Sequence, residues 1–414
     1  MKKCIFTIVA KNYIGLAQIL EKSIQQHESV DFYIVIADEA KGLALPPNVL
    51  IAKDVLDYQL SQWTNMSFKY NLTEFCTAIK PAVFLYLLSR GYDDIIYFDP
   101  DIYVFAPLTK VWDALTNHDM VLTPHVSGIH PSYQGESEWT ICVTGIFNLG
   151  FCAIHNSKLS TQAMLWWKKR LETNAFCDRS VGTFTDQKWM DWMPGLMGDK
   201  LYVLRDLGMN IAPWNYFERK IIYNQNNQLQ VIHRFDDCDA DATPLVFMHF
   251  SGYDYSLLMN GAVSHQRLQN AIQYDDIKTA IEIYSKALAQ SRSIFNAYLN
   301  QAYSYSTYDN GQGIDNFHRK LYDGLIQNGT TIGNPFATTQ GSFYSMLKKK
   351  RLLTKESIDK LTPQNYHNVD TKIKILNRFF ALICAVIGYK RYPLFVKSLY
   401  HYAQPQHHFF LIKK

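Results

Sequence analysis

From Lys3 to Ser251 the chain alternates short apolar runs with stretches of helical apolar spacing. Lys3 to Ala10, Asp31 to Ala37 and Asn48 to Lys53 read as strands. Between the first two, Tyr13 to His27 places Leu16, Ile19, Leu20 and Ile24 on one helix face. Thr73 to Ser89 repeats that signal through Ala78, Ala82, Leu85 and Leu88, with Thr73 as its cap. Pro81 lies inside it, where a proline breaks a helical hydrogen bond or starts a new helix. Further strands are expected at Met120 to Pro124, Leu201 to Asp206 and Leu245 to Phe250, and a further amphipathic helix at Leu159 to Thr173. Such alternation predicts an α/β domain with a mainly parallel sheet, which binds ligands outside the carboxyl ends of its strands.

One of those ends carries the sharpest chemical signal. Ile95 to Phe98 is a buried-strand pattern that stops at Asp99-Pro100-Asp101, before a second apolar run, Ile102 to Phe105. Pro100 cannot donate to a ladder, so the strand ends or bends there. Two carboxylates at the end of a buried strand need a cation, because desolvating one alone costs several kcal/mol. Hard oxygen ligands suit Mg2+ or Mn2+. Ala10, Asn12, Tyr13 and Asp38 occupy equivalent strand ends. No Gly-rich phosphate loop follows the first strand, which argues against a dehydrogenase or kinase.

Farther along, Ser127 to Thr140 reads as a polar loop long enough to act as a lid. Asn148 and Gly150 open an apolar strand, where backbone can approach a ligand. Asp186-Gln187 leads into a Trp-rich segment, and Trp189 and Trp192 read as core. Trp214-Asn215-Tyr216 reads as a polar-aromatic loop, and His249 closes the last apolar strand. Around Ser264 the pattern turns helical, which divides the chain into 1–263 and a mainly helical 264–414. Tyr308 to Gly311 and Asn334-Pro335-Phe336 read as turns.

Composition adds two constraints. Seven scattered cysteines with no CxxC pair (Cys4, Cys76, Cys142, Cys152, Cys177, Cys238, Cys384) point to reduced, buried thiols in a cytoplasmic protein. The apolar start after Lys2-Lys3 is cut at Lys11-Asn12, as expected of a first strand rather than a signal peptide. The net charge of +4 conceals an asymmetry: Gly341 to Lys414 holds 14 Lys and Arg against 3 Asp and Glu, so the remainder is acidic. A basic tail with the apolar run Phe379 to Gly388 suggests an anionic membrane surface; a buried helical core with solvated lysines accounts for it equally well. Ten apolar residues do not span a bilayer, which needs about 20.

Taken in order, Ala10-Lys11-Asn12-Tyr13, Lys80, Asp99-Pro100-Asp101, Phe147-Asn148-Leu149-Gly150, Asp186-Gln187 and His249-Phe250-Ser251-Gly252 make a set. That set resembles retaining glycosyltransferases of the GT-A fold, especially glycosyltransferase family 8 and its relatives. The resemblance implies a Rossmann-like nucleotide-sugar-binding domain, a UDP-sugar donor and Mn2+ (or Mg2+). It implies Asp99 and Asp101 as metal and ribose ligands, His249 as a further metal ligand, Asn12 near the base, and Asn148 and Asp186 on the donor sugar. Gln187 is implied near the anomeric carbon, and Lys80 as the basic residue contacting donor. The family carries a lysine three residues after the glycine of its His-x-x-Gly motif; Tyr255 stands there in this chain. The expected acceptor is a surface glycan, a lipid-linked precursor or a protein, and no nucleic-acid partner is expected. A nucleotide-sugar hydrolase or nucleotidyltransferase, and a non-catalytic glycan-binding scaffold, are the alternatives.

Overall fold

A computed structural model describes the chain except for residues 130–134, 136, 236–241, 266–273, 354–368 and 413–414. Part of the expected lid loop, part of the basic tail, and Cys238 therefore lie outside the described residues. The chain forms two compact units: Met1–Tyr58 with Leu72–Tyr303, and Gln59–Asn71 with Ser304–Lys414.

The first unit is built on a seven-stranded sheet. Its strands are β1 (Lys3–Val9), β2 (Asp31–Ile36), β3 (Val49–Ile51), β4 (Asp94–Phe98), β6 (Met120–Leu122), β7 (Phe151–His155) and β8 (Leu201–Val203), in the order β8-β6-β7-β4-β1-β2-β3. β5 (Ile102–Val104) lies outside that sheet and pairs with β9 (Phe247–His249). Only β7 runs against its neighbours, β4 and β6. β1 is central, hydrogen-bonded on one side to β2 and on the other to β4. From Cys4 to Val9 it is buried without interruption, because both faces of a parallel sheet are covered. This is the α/β class that the alternating pattern predicts.

The helix at Leu72–Ser89 is continuous through Pro81. A helix-interior proline costs about 3 kcal/mol. Burial of Phe75, Ile79, Val83, Phe84 and Leu87 offsets it, at about 1.5–3 kcal/mol for each large side chain. The helix starts one residue before Thr73, so Thr73 sits in its first turn rather than capping it. Lys158–Leu171 is capped by Ser157, whose hydroxyl accepts from the Ser160 N–H. Asp275–Gln290 buries Ile277, Ile281, Tyr284 and Leu288 within the first unit, and Tyr284 stacks on Phe250 at 4.1 Å. A helix also forms at Glu138–Thr144, overlapping the end of the stretch read as loop.

In the second unit, Leu60–Lys69 packs with Asn316–Gln327 and Phe343–Lys349 around Phe68, Tyr308, Leu321, Tyr322, Phe343 and Leu347. The Arg319 guanidinium is buried and donates to the carbonyls of Ser67, Phe68, Tyr70 and Tyr305. Tyr308 to Gly311 is a turn closed by the Gly311 N–H to the Tyr308 carbonyl, and the Asn334 side chain accepts from the Phe336 N–H.

The cysteines depart from expectation. Cys4 and Cys152 are buried, whereas Cys142 and Cys177 are exposed; the described thiols are all unbridged. Sequence context placed both in apolar company, but each ends up on a surface segment.

Candidate functional site

The two acids and the histidine meet because two strand pairings converge. Asp99 follows β4 directly, and its N–H bonds the Gly150 carbonyl at 2.8 Å. β5 and β9 pair with His249 opposite Ile102, and the Phe250 N–H bonds the Asp101 carbonyl. His249 is thereby delivered next to Asp101, although 148 positions separate them in sequence. Its Nε2 lies 3.1 Å from Asp101 Oδ1 and 3.7 Å from Asp99 Oδ2. One ligand atom from each of the three residues falls within 4.8 Å of the others.

Electrostatics strain this cluster. Burial raises Asp99 above the usual carboxylate range; Lys80 and His249 pull it down, and Asp101 pushes it further up. Burial also raises Asp101, but His249 more than offsets it, and the net shift is downward. Desolvation lowers His249; the charge and hydrogen bond of Asp101 outweigh that, and the imidazole titrates above its ordinary value. Two carboxylates and one imidazole form a donor set that suits a hard to borderline divalent cation such as Mn2+ or Mg2+. The Asp99 side chain retains 30% exposure, so an ion can reach it from solvent.

Neighbouring groups fix this cluster in place. The Tyr97 hydroxyl donates to Asp99, and the Tyr255 hydroxyl donates to Asp101 Oδ2 at 3.2 Å. Burial and the Asp101 charge hold the Tyr255 phenol well above its normal range, so it remains a donor. Tyr255 therefore serves Asp101 at the position where the resembled family has lysine. Gly150 allows His249 to approach: a Cβ there would sit 2.4 Å from the imidazole. Gly252 turns the chain at φ +81°, a left-handed conformation that favours glycine.

The other expected residues come together around it. Asn148 Oδ1 lies 3.1 Å from His249 Nδ1 and accepts from the Gly150 N–H. Lys80 is buried, 2.6 Å from Asp186 and 2.8 Å from the Leu149 carbonyl, and lies over the Tyr97 ring. Alone, such a lysine reads as solvent-facing; here its charge is matched inside the protein. Asp186 also accepts from the Thr185 hydroxyl, and Trp167 Nε1 donates to its carbonyl. Thr185 is β-branched yet sits at φ +48°, so strained backbone positions Asp186. The Gln187 amide donates to the Thr144 carbonyl and accepts from the Leu149 N–H.

At the ends of β1 and β2, Lys11 and Asp38 form a buried ion pair of 3.2 Å, and Asp38 accepts from the Glu39 N–H. Ala10 is buried before the short 3-10 turn Lys11–Tyr13. The Tyr13 ring meets Tyr255 edge-on, and Asn12 Oδ1 is buried without a hydrogen-bond partner among the described residues. Trp189 and Trp192 depart from the core reading: Trp192 is exposed, and both meet Trp166 ring to ring.

Sequence reasoning missed several groups. His125 contacts the Asn148 amide through Nε2 and the Ile146 carbonyl through Nδ1. Burial drives its pKa down to about 4, leaving a neutral ring. Asn210, at φ +56°, donates to both Asn148 and Thr123. The Trp214 ring meets His125 and His249 edge-on, and its buried Nε1 finds no partner among the described residues. Glu218 accepts from the N–H groups of Ser127 and Gly128 and pairs with buried Arg219. The dense polar-aromatic stretch from Trp214 to Arg219 was the available signal.

No family model matches the chain. Two Bacillus subtilis (strain 168) proteins, both described as uncharacterized, are similar to it over 261 residues. YfnD is 26% identical, with 60% of this chain and 76% of YfnD covered. YfnF is 23% identical, with 60% and 80% covered. Solved structures overlap it more loosely. The galactosyltransferase LgtC with donor and acceptor sugar analogues gives a TM-score of 0.38 at 15% identity, covering 69% of this chain and 95% of LgtC. The Streptococcus pneumoniae TIGR4 glycosyltransferase GlyE gives 0.37 at 14%, covering 74% and 67%. Mouse xyloside xylosyltransferase 1 gives 0.35 at 11%, covering 60% and 97%.

Proposed function

We propose that the chain is a metal-dependent, retaining glycosyltransferase of GT-A architecture. It moves a sugar from a nucleotide-sugar, best fitted by a UDP-sugar, to a glycan, glycolipid or glycoprotein precursor on the cytoplasmic side. The observation that carries this reading is the convergence of Asp99, Asp101 and His249 beyond the end of β4, with ligand atoms within 4.8 Å. A Mn2+ or Mg2+ bound there would neutralise the leaving diphosphate as a Lewis acid.

The chain's own groups carry the rest. Asn12 Oδ1 and Trp214 Nε1, an acceptor and a donor both buried without partners, are available to a ligand. Asp186, fixed by Lys80 and Thr185, offers a carboxylate to sugar hydroxyls. Asn148, held by Asn210 and His249, supports the same sugar. Gln187, clamped between Thr144 and Leu149, lines the reacting face. In the retaining course the leaving phosphate takes the acceptor's proton on the same face, so no side-chain base is required.

A donor screen tests this reading: thermal shift and hydrolysis with UDP-, GDP- and CMP-sugars, with and without Mn2+. One donor class stabilising the protein in a Mn2+-dependent manner, with slow release of free sugar, is the expected result. No stabilisation by any donor contradicts it. Release of pyrophosphate from a sugar phosphate and a nucleoside triphosphate would favour a nucleotidyltransferase.

A further inference from the structure

Helix Val369–Ile387, in the second unit, carries two apolar faces where a soluble helix normally has one. Phe380, Ile383, Cys384 and Ile387 are half-buried on one of them. Ile375, Phe379, Leu382 and Val386 form another, and each is more than half exposed. Their spacing of four, three and four residues aligns them in one stripe. Lys372, Lys374 and Arg378 share that helix, and Lys390 and Arg391 follow in the turn. From Val369 to Tyr402 there are six Lys and Arg and one acid, Asp370. Tyr389 and Tyr400 are exposed at the turn and on the next helix, Tyr392–Tyr402.

We infer that this stripe docks on an anionic lipid surface. An exposed apolar stripe edged by bases fits acyl chains below and anionic headgroups beside it. The Tyr rings match the interfacial level of a membrane. A second copy of the chain is the competing occupant, since the spacing also suits a helix pair. Charge opposes it: two such helices would bring their bases together with a single acid each to compensate. Spanning is opposed by the charges in the first half of the helix and by its length. Nineteen residues reach about 28 Å, and a span needs about 20 mainly apolar ones. Each basic residue at an anionic surface strengthens binding about fivefold, so this helix and its turn suffice for reversible attachment.

The test is co-sedimentation of the full-length protein with vesicles of phosphatidylcholine alone or equimolar phosphatidylcholine and phosphatidylglycerol. The protein should pellet with the anionic vesicles at low salt, leave them as salt rises, and stay in solution with the neutral ones. Phe379→Asp with Leu382→Asp should lose binding, and Lys374→Glu with Arg378→Glu should lose at least tenfold. Melting temperatures close to wild type are expected, because these side chains are exposed. Should the aspartate pair unfold the helix, the charge-reversal pair alone carries the test. Wild-type protein left in the supernatant at low salt overturns the inference. So does equal pelleting by wild type and the charge-reversal pair. A dimer in sedimentation velocity that Phe379→Asp dissociates, with no vesicle binding, gives the stripe to a second copy instead.

Discussion

Two kinds of carboxylate site sit at strand ends on either side of the central strand β1. At the end of β2, Asp38 is closed: Lys11 lies 3.2 Å away and both are almost fully buried. Asp186 is closed in the same manner by Lys80. At the end of β4, Asp99 and Asp101 are open: they face each other and a shared histidine, with partial access to water. A closed pair is balanced in charge within the fold; it serves architecture, or it orients a carboxylate whose remaining lone pairs can still accept from a hydroxyl. An open cluster is left with unbalanced negative charge, and that residue of charge is what a cation or a ligand can satisfy. Burial of acids therefore does not mark the candidate site by itself; the missing counter-charge does.

The contrast can be broken at either side. Asp101→Ala should cost the most, abolishing transfer by about a thousandfold or more, since several kcal/mol of charge stabilisation are lost. Its melting temperature should stay near that of wild type, because one of two like charges is removed. Steady-state turnover with saturating Mn2+ reads the first effect, and unchanged turnover would reject the assignment. Lys11→Met should do the reverse. It takes the Lys11 charge away from buried Asp38, a loss of about 3–5 kcal/mol in stability measured by urea unfolding. A shift below about 1 kcal/mol would mean that Asp38 is not closed in the sense argued.

A smaller effect is expected from His249→Ala. A neutral imidazole brings less charge than a carboxylate, so Mn2+ activation should weaken by about a hundredfold or less, short of the Asp101→Ala loss. Overlapping Mn2+ activation curves for the variant and wild type would remove His249 from the cluster. The smallest effect concerns His125. Its pKa falls from about 6.5 in the unfolded chain to about 4 in the fold. The folded state then binds fewer protons between those values, so its contribution is complete above pH ~6.5 and lost as pH falls to ~4. His125→Gln should therefore flatten the acid limb of stability, seen as a melting temperature that drops less between those pH values.

Local pattern made much of this legible. The mainly apolar runs of β1, β2 and β4 announced a covered parallel sheet, and the helix of Ile14–Gln25 followed from its spacing. Asp99 and Asp101 stood out because acids end a buried strand. Partnering was not legible. Nothing local says that Lys80 would reach Asp186, more than a hundred positions away, or that Tyr255 would turn its hydroxyl to Asp101. His125, Asn210 and Trp214 were hidden for the same reason: each is brought to Asn148 or His249 by strand pairing, a long-range event. Pro81 misled because propensity is local, whereas the apolar burial that overrides it is tertiary. Trp192 misled because a tryptophan's size argues for burial, and its short 3-10 segment, Gln187–Trp192, leaves it on the surface.

The proposed function rests on Asp99, Asp101 and His249 holding a divalent cation against a nucleotide diphosphate. Isothermal titration of Mn2+ into the protein with UDP present tests it most directly, beside the same titration of Asp101→Ala. Wild type should show saturable one-site binding that strengthens with UDP and is absent from the folded variant. Equal Mn2+ and UDP affinities in the two proteins would contradict it.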